Sequence, residues 1–383
     1  MKEKYSVLIP DGNSKLLTVV INCLSEHKGY DIYIISDEKR KEIIYPKNLK
    51  QIFVYPNLNH NTKNEWLAYV DSLVEKYNID VVMPIDVTAI RCLSKYKTAI
   101  NKTKALGLLP PFDNFDTANH KDELSKHLIL NQLPAPKTLL YSKGEVCTNP
   151  PLKFPIIMKL CKDYEGGGEG LHFFKDQVQL EQFFFKTELD CSYLLQSYIS
   201  GYDIDCSVLC ENGKILAFTI QKGFMKGESD FTPQLGVAFL YEKALYEVVE
   251  RLMTSLNWSG VAHIDMRYDE NEKDFKIIEI NPRFWGSLDA SIIAGVNFTH
   301  FYCLASMGIT FDVPQYKNIR FLKLLGLVKT IKKNKLFLFN FRFLLKNTPL
   351  KFYKKNPWPL LYIVYYKLRA GVTKRISKTN KTS

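Results

Sequence analysis

The sequence predicts an open α/β domain, followed by an α+β body and a basic C-terminal segment. Strand and helix patterns alternate in residues 1–112, short strands dominate 113–312, and 313–383 mix Lys and Arg with Leu, Phe and Tyr. Alternating strands and helices are typical of βαβ units and a parallel sheet. A mixture of short strands with a few helices is typical of α+β domains. We therefore expect a parallel-sheet domain, an α+β body and a helical basic appendage.

The first domain is predicted from apolar runs that are separated by helical patterns. Strands are expected at 7–9, 31–35 and 80–85, and helices at about 14–27 and 66–77. The Pro110-Pro111 pair marks the end of this domain, because consecutive prolines favour a turn or a linker.

The α+β body begins with a helical pattern that Leu133-Pro-Ala-Pro terminates. Strands are expected at 156–160, 170–174, 193–199, 205–209, 215–220, 261–267 and 275–280, and helices at about 122–133, 177–185 and 241–256. This order is mixed rather than alternating, so we expect sheets that carry helices on one face.

Charge and cysteine usage restrict the class of protein. The net charge is +12, yet the 18 Lys and Arg residues from Lys317 onwards face no acidic residue, and residues 1–316 carry 34 basic and 40 acidic side chains. The eight cysteines show no metal-type spacing, and 1–5 lead directly into a strand, so we expect reduced thiols, no signal peptide and a cytoplasmic location. The sequence contains no uninterrupted run of 18 apolar residues, so we expect no membrane-spanning helix.

A lysine and a glycine-rich loop form the first candidate site. Lys159 ends an apolar strand, and Gly166, Gly167, Gly168 and Gly170 follow within a few residues. Glycines let backbone N–H groups approach an anion closely, and a lysine adds a point charge for a phosphate. The loop does not match the Walker A pattern. A solvated hairpin turn is the alternative explanation.

A strand that ends in Glu-Ile-Asn-Pro-Arg forms the second candidate site. Glu279 and Asn281 are two residues apart and therefore project to one face of the strand. Asp265 lies on a preceding strand, so antiparallel pairing would place it beside them. These oxygen ligands suit Mg²⁺, and Arg283 can hold a phosphate or a carboxylate. The alternative is a surface strand with salt bridges, which Pro282 makes less favourable.

The stretch between Gln196 and Asp203 is the third candidate. As an extended linker through Ile199 it could offer backbone groups to a purine edge, with Asp203 accepting from ribose hydroxyls. A simple turn after a strand explains this stretch equally well.

In this order, the motifs resemble the ATP-grasp superfamily, nearest to its carboxylate–amine ligases and carbamoyl-phosphate-synthetase-like members. The resemblance covers about 1–310 and implies a pre-ATP-grasp domain at 1–112 followed by a two-subdomain ATP-grasp fold at 113–312. Its elements are Lys121 before a helix, Pro134-Ala-Pro, Lys159 with the glycine loop, the linker, Asp265 and the Glu-x-Asn-Pro-Arg strand.

The resemblance implies where ATP binds. The two phosphate lysines of the family correspond to Lys121 and Lys159, its flexible loop to Gly167, Gly168 and Gly170, and its adenine linker to Gln196 and Ile199. Asp203 takes the place of a ribose-binding acid. Glu is more usual than Gln196 and Asp203 at both of these positions. Lys222 is expected as a further phosphate contact.

The resemblance also implies the metal and the reaction. Asp265, Glu279 and Asn281 match the ligands of Mg²⁺, with Mn²⁺ as an alternative ion, and Arg283 with Lys159 would stabilise the transferred phosphate. The implied activity joins a carboxylate to an amine through an acyl phosphate. His263 is interpreted as a packed strand residue rather than a general base. A non-catalytic nucleotide-binding module and a phosphotransferase that forms no C–N bond remain as alternatives.

The basic segment 313–383 is interpreted as an amphipathic attachment to an anionic membrane surface at the inner face of the membrane. Clustered Lys and Arg among Leu, Phe and Trp358 are typical of such segments. A helical appendage with a solvated basic face is the alternative, and the apolar content argues against nucleic acid. Membrane attachment would favour a lipid-linked, glycan or cell-envelope substrate.

Overall fold

The computed structural model contains three sheets with helices around them. It describes residues 3–39, 48–59, 61–161, 170–227 and 232–358, together with 360, 361 and 365. The glycines expected at 167 and 168 lie outside these residues. Among the described helices, none combines the length and the hydropathy that crossing a membrane requires.

The N-terminal sheet is parallel, as predicted. Its strands have the spatial order β3–β2–β1–β4. The strands are β1 (Tyr5–Ile9), β2 (Tyr30–Ser36), β3 (Leu49–Val54) and β4 (Val81–Val82), and the helices are α1 (Leu17–Ser25), α2 (Lys63–Lys76) and α3 (Val87–Lys95). The sequence did not predict β3, because this edge strand buries only one residue fully.

A small antiparallel sheet follows two consecutive helices. Its order is β5–β8–β6–β7, and one face packs on α6 around Met158, Leu180 and Leu195. The elements are α4 (Phe112–Asn119), α5 (Lys121–Leu130), β5 (Thr138–Tyr141), β6 (Ile156–Leu160), β7 (Leu171–Phe174), α6 (Gln177–Lys186) and β8 (Tyr193–Ser197).

A larger antiparallel sheet completes the body. Its order is β13–β12–β9–β10–β11–β14. The elements are β9 (Gly201–Glu211), β10 (Lys214–Met225), β11 (Gly236–Leu240), α7 (Lys243–Ser255), β12 (Gly260–Asp269), β13 (Asp274–Asn281), α8 (Leu288–Ala294), α9 (Phe298–Ser306) and β14 (Arg320–Leu322). Apolar side chains on one face, among them Cys206 and Ile264, pack against Leu245 and Val249 of α7.

The C-terminal segment is helical, as predicted, and packs on the large sheet. It comprises α10 (Leu324–Lys333), a 3₁₀ turn (Lys335–Phe339), α11 (Phe341–Lys346) and α12 (Leu350–Tyr353). Leu327 and Leu344 pack together with Leu322 of β14. The domain division at 112 and 312 stays a prediction; β14, which lies beyond 312, pairs with β11.

The register of the large sheet aligns its polar residues. Gln221, Asp205, Asp265 and Glu279 are direct cross-strand partners on β10, β9, β12 and β13. Direct partners project to the same face, so all four lie opposite the apolar face that α7 covers. The expected antiparallel pairing of Asp265 with Glu279 is therefore observed.

We predict that Gly201→Ala destabilises the protein. Gly201 begins β9 with φ +155°, and a Cβ there would overlap the carbonyl oxygen of Tyr268. The strain should lower the free energy of unfolding by about 1–3 kcal/mol, which urea denaturation would measure.

Gly286→Ala is the control, since a Cβ at Gly286 meets no atom within 4 Å. It should change stability by no more than about 0.5 kcal/mol. Equal stability of both variants would contradict the close packing described for Gly201.

Candidate functional site

A cavity of about 520 Å³ lies between the two antiparallel sheets. Its lining includes the predicted residues Lys121, Lys159, Gly170, Gln196, Ile199, Asp203, Asp265, Glu279, Asn281 and Arg283. These residues come from α5, both sheets and the segments that follow their strands. The structure therefore brings together ten of the thirteen residues that the sequence singled out.

Asp265, Glu279 and Asn281 form a compact group on the cavity face. Asn281 Nδ2 lies 3.0 Å from Asp265 Oδ2 and 3.5 Å from Glu279 Oε1. Burial and the charge of Asp265 raise the pKa of Glu279. Burial would raise the pKa of Asp265, but the hydrogen bond and charge of His263 and the hydrogen bonds of Glu279 and Asn281 together outweigh it and lower this pKa.

This group fits a divalent cation. Two partly buried carboxylates side by side repel each other, and a cation between them would remove that repulsion. Rotation of the Asn281 amide would turn Oδ1 towards the same position, which completes an oxygen set of the kind that Mg²⁺ prefers. Asp265, Glu279 and Asn281 are thus the residues that would hold the metal.

His263 contacts two carboxylates on the same face. Its Nε2 lies 3.2 Å from Asp265 Oδ1 and 3.9 Å from Asp205 Oδ2, while Nδ1 hydrogen-bonds with Ser207 Oγ at 2.9 Å. Burial lowers the pKa of His263, but the hydrogen bond to Asp265 and both carboxylate charges outweigh it and raise this pKa. Burial and Asp265 also raise the pKa of Asp205 to about 7. His263 therefore partly offsets the negative charge of Asp205 and Asp265, in addition to the packing role that the sequence suggested.

Lys159 reaches the cavity from the small sheet. Its side chain is buried, and among the described residues it forms no ion pair. Burial lowers its pKa, and the nearby charge of Lys121 adds to this, while Glu279 and Asp265 oppose it. A buried ammonium beside a second lysine is a position where an anionic phosphate group would be stabilised.

Arg267 organises the segment that joins the two sheets. It donates to the carbonyl oxygens of Ile199 (2.7 Å) and Gly201 (2.9 Å) and to Tyr198 OH (3.1 Å), and it pairs with Asp203. These contacts fix the carboxylate of Asp203 next to the backbone at Ile199. The sequence analysis identified Asp203 and Ile199 as candidates, but it did not identify Arg267, which contacts both.

The sequence also predicted nucleotide contacts at Gln196, Gly170 and Lys222. Gln196 Nε2 donates to Thr138 Oγ1 at 3.1 Å, and Gly170 has φ +77°, which favours glycine. Lys222 does not line the cavity: its ammonium lies 3.2 Å from the centre of the Tyr202 ring. It is adjacent to Gln221, so strand alternation turns it to the opposite face.

Arg283 connects the cavity to the N-terminal domain. Its Nε lies 3.5 Å from Asp86 Oδ1, and its Nη1 donates to the carbonyl of Phe284 at 2.9 Å. Nη2 lies 3.4 Å from Asn281 Oδ1. A planar cation is therefore held at the edge of the proposed metal position.

Sequence reasoning missed several residues of the cavity wall. They are Asp205, Gln221, Arg267, Ser287 and Lys323. Three of these, Asp205, Gln221 and Arg267, lie on or directly after predicted strands and could have been found from alternation, whereas Ser287 precedes α8. Lys323 had no such signal, because β14 is only three residues long.

Comparison with solved structures defines the fold. The model matches N5-carboxyaminoimidazole synthetase from Staphylococcus aureus with TM-score 0.66 and 15% identity over 88% of this chain and 86% of that one. It matches L-amino acid ligase from Bacillus licheniformis with TM-score 0.59 and 17% identity over 82% and 76%. Biotin carboxylase from Campylobacter jejuni gives TM-score 0.59 and 15% identity over 81% and 73%. The chain has the ATP-grasp fold, which confirms the resemblance predicted from sequence.

Comparison by sequence gives a match to part of the chain. A family model described as "ATP-grasp in the biosynthetic pathway with Ter operon" matches residues 191–322, about a third of the chain. That range contains β9 to β14 and hence the acidic face of the cavity. A search of curated proteins by sequence gave no match.

We predict that Lys159→Met stabilises the free protein. Methionine has a similar length and removes the cost of burying an ammonium group without an ion-pair partner among the described residues. The free energy of unfolding should rise by ~1 kcal/mol in urea denaturation. Binding of ADP with Mg²⁺, measured by calorimetry, should weaken at the same time.

Lys175→Met is the control, because Lys175 is exposed. It should leave both stability and ADP binding unchanged. A stability loss in Lys159→Met would mean that the ammonium is compensated in the free protein.

Proposed function

We propose that this protein is an ATP- and Mg²⁺-dependent ligase that joins a carboxylate to an amine through an acyl phosphate. One observation carries the proposal: Lys159, the Asp265–Glu279–Asn281 group and Arg283 line one cavity of an ATP-grasp fold. The solved neighbours include an amino acid ligase and carboxylating enzymes, and the Staphylococcus aureus synthetase has also been solved with ADP.

The residues have distinct proposed roles in the nucleotide half of the cavity. Ile199 and Gln196 would contact adenine, and Asp203, positioned by Arg267, would accept from the ribose. Lys121 and Lys159 would neutralise phosphate oxygens, with Gly167, Gly168 and Gly170 in the phosphate loop. These roles agree with phosphoryl transfer, which depends on positioning and on charge stabilisation rather than on a side-chain nucleophile.

The proposed reaction has two steps. A carboxylate oxygen attacks the γ-phosphorus, and the bond to the β-phosphate oxygen breaks to release ADP. The amine then attacks the carbonyl carbon, loses a proton, and the phosphate leaves with the electron pair of the broken C–O bond. Asp265, Glu279 and Asn281 would hold the metal, whose positive charge would stabilise the phosphates, while Arg283 and Lys159 would hold the transferred phosphate where its charge develops.

ADP and phosphate release against panels of carboxylates and amines tests this function. A ligase releases both only when a suitable pair is present, and the product contains a new C–N bond by mass spectrometry. Release of ADP with a phosphorylated acceptor and no phosphate would identify a phosphotransferase. Tight ATP binding without turnover for any pair would identify a nucleotide-binding module.

We predict that Glu279→Gln lowers Mg²⁺-dependent ADP release. Glutamine preserves the shape of the side chain but removes the charge proposed to hold the metal, so the rate should fall on the order of 100-fold. The initial rate of ADP formation at saturating ATP measures the effect. Thermal unfolding should show that the variant is folded.

Glu272→Gln provides the control, since Glu272 lies in the turn between β12 and β13, exposed, and pairs with Lys276. Its rate should equal that of the wild type. An undiminished rate in Glu279→Gln would remove Glu279 from the proposed metal site.

We further propose that the C-terminal segment attaches to an anionic membrane surface. Leu325, Val328, Leu336, Phe339 and Phe341 are large apolar residues that are exposed there. The exposed basic residues among them are Lys329, Lys332, Lys333, Lys335, Arg342 and Lys346. Apolar side chains that enter the lipid interface, surrounded by cations that face anionic headgroups, are a recognised mode of attachment. Such attachment would favour a lipid-linked or cell-envelope substrate at the inner face of the membrane.

We predict that Lys332→Glu combined with Lys333→Glu weakens binding to vesicles of phosphatidylserine and phosphatidylcholine. Each basic residue near an anionic surface contributes about 1 kcal/mol, so losing two should weaken binding roughly 30-fold, and the two added negative charges should weaken it further. Co-sedimentation with the vesicles measures this. Neutral phosphatidylcholine vesicles should bind all variants weakly.

The matched control reverses Lys214 and Lys243, two exposed lysines outside the C-terminal segment. Binding of this control should stay at the wild-type level. Equal losses in both double variants would indicate a general effect of net charge and would contradict a specific surface.

A further inference from the structure

Lys323 enters the cavity from the side opposite to Lys159. Its backbone N–H bonds to the carbonyl of Leu235 at 2.9 Å, which extends the β11–β14 ladder by one residue. Phe321 is paired with Val237, which lines the cavity. Two residues further, Lys323 projects to that same face, and it also lines the cavity.

The cations of the cavity are divided between its two ends. The charges that act on Lys159 belong to Glu279, Lys121 and Asp265. Those that act on Lys323 belong to Asp289, Asp205 and Asp265. Asp265 alone is common to both sets. Glu279 lies on β13 and Lys323 follows β14, and these strands are the opposite edges of the large sheet, so the two ammonium groups approach the proposed metal position from different sides.

The carboxylates near Lys323 already have other partners or lie too far for direct pairing. Asp205 accepts from Gln221 Nε2 at 3.3 Å and contacts His263. Asp265 is bonded by His263 and Asn281. Within the described residues, no carboxylate oxygen lies within the 4.0 Å that an ion pair with Lys323 requires. Among the described residues, the side chain of Lys323 has no hydrogen-bond acceptor either, so its partly buried ammonium group is available to an anion in the cavity.

Further polar groups surround the same end of the cavity. Gln221 and Ser287 hydrogen-bond with each other at 3.2 Å, and both line it. Asp289, whose charge also acts on Lys323, is buried, and its Oδ1 has no hydrogen-bond partner among the described residues. The cavity thus has a polar, cationic end that the proposed nucleotide contacts do not use.

We propose that Lys323 binds the carboxylate group of the acceptor substrate, with Gln221 and Ser287 beside it, across the metal position from Lys159. The inference rests on the proposed function and names the binding site of one of its substrates. A carboxylate supplies two acceptor oxygens and a charge of opposite sign, which satisfy the free donors of the ammonium group. Charge-assisted hydrogen bonds would orient the acid towards the γ-phosphate. Substrate selection then depends on a residue from the C-terminal segment.

Lys323→Met tests the proposal through the separate Michaelis constants of acid and ATP. Acetate, succinate, L-alanine and L-glutamate serve as probes, with ADP release as the readout. The KM for the stimulating acid should rise roughly tenfold or more, while the KM for ATP stays within about twofold. Lys323→Arg should recover part of the affinity, because it keeps the charge. A parallel rise of both constants would indicate a structural role and overturn the proposal.

Arg320→Met is the matched control. Arg320 is exposed on β14, and its guanidinium lies 5.5 Å from the Phe224 ring on the other face. It removes one positive charge from the same strand and should leave both Michaelis constants unchanged. Loss of acid affinity in Arg320→Met equal to that in Lys323→Met would overturn the assignment to Lys323.

A labelling experiment separates this inference from the proposed function. Trace acetylation of lysines in the wild type, followed by mass spectrometry, is compared with MgADP alone and with MgADP plus each probe acid. Slower labelling of Lys323 with an acid, relative to exposed Lys329, supports the site even when no acid stimulates ADP release. Slower labelling of Lys323 without stimulated ADP release would contradict the proposed ligase activity but would still support the carboxylate site. Unchanged labelling with all four acids would overturn the proposed site.

Discussion

The register of the six-stranded sheet is the constraint on which the site depends. Asp205, Asp265 and Glu279 face the cavity because they are direct partners across three neighbouring strands. A shift of one residue would turn all of them towards α7 and expose Ile264 and its apolar neighbours to the cavity. The apolar packing behind the sheet therefore determines where the acidic groups lie in front of it. Fold stability and site geometry follow from the same alternation.

This arrangement concentrates charge in a buried place. Burial and the charge of Asp265 raise the pKa of Asp205 and of Glu279 on the adjacent strands, and His263, which contacts Asp205 and Asp265, partly offsets the repulsion. Lys159 remains without an ion-pair partner among the described residues, and its burial is unfavourable in the free protein. A bound polyphosphate with its metal would supply the compensating charges: negative charge for the lysine and positive charge for the carboxylates. The electrostatic requirements of the free cavity thus correspond to the charges of metal-bound ATP.

Much of the fold was predictable because its strands carry local signals. The strand at 156–160 was predicted with the bounds observed for β6, and the pairing of Asp265 with Glu279 followed from alternation. Lys222 was expected at the phosphates, yet it lies on the other face of the sheet. Its neighbour Gln221 is the direct partner of Asp205 and lines the cavity instead. β14 was not predictable. Three residues in a basic run become a strand only through pairing with β11, and that long-range contact brings Lys323 into the cavity.

The N-terminal domain contributes to the site through a chain of hydrogen bonds. Asp11, after β1, accepts from the backbone N–H groups of Ile85 and Asp86 after β4, and Ser14 Oγ donates to Asp86 at 2.6 Å. The order β3–β2–β1–β4 changes direction between β1 and β4, the position where parallel sheets open a crevice for ligands. Here the crevice holds Arg283 through Asp86. Because Arg283 contacts Asp86 after β4 as well as Asn281 at the end of β13, a displacement of the N-terminal sheet would also displace the cation next to Asn281. The position of the N-terminal sheet is therefore part of the geometry of the site.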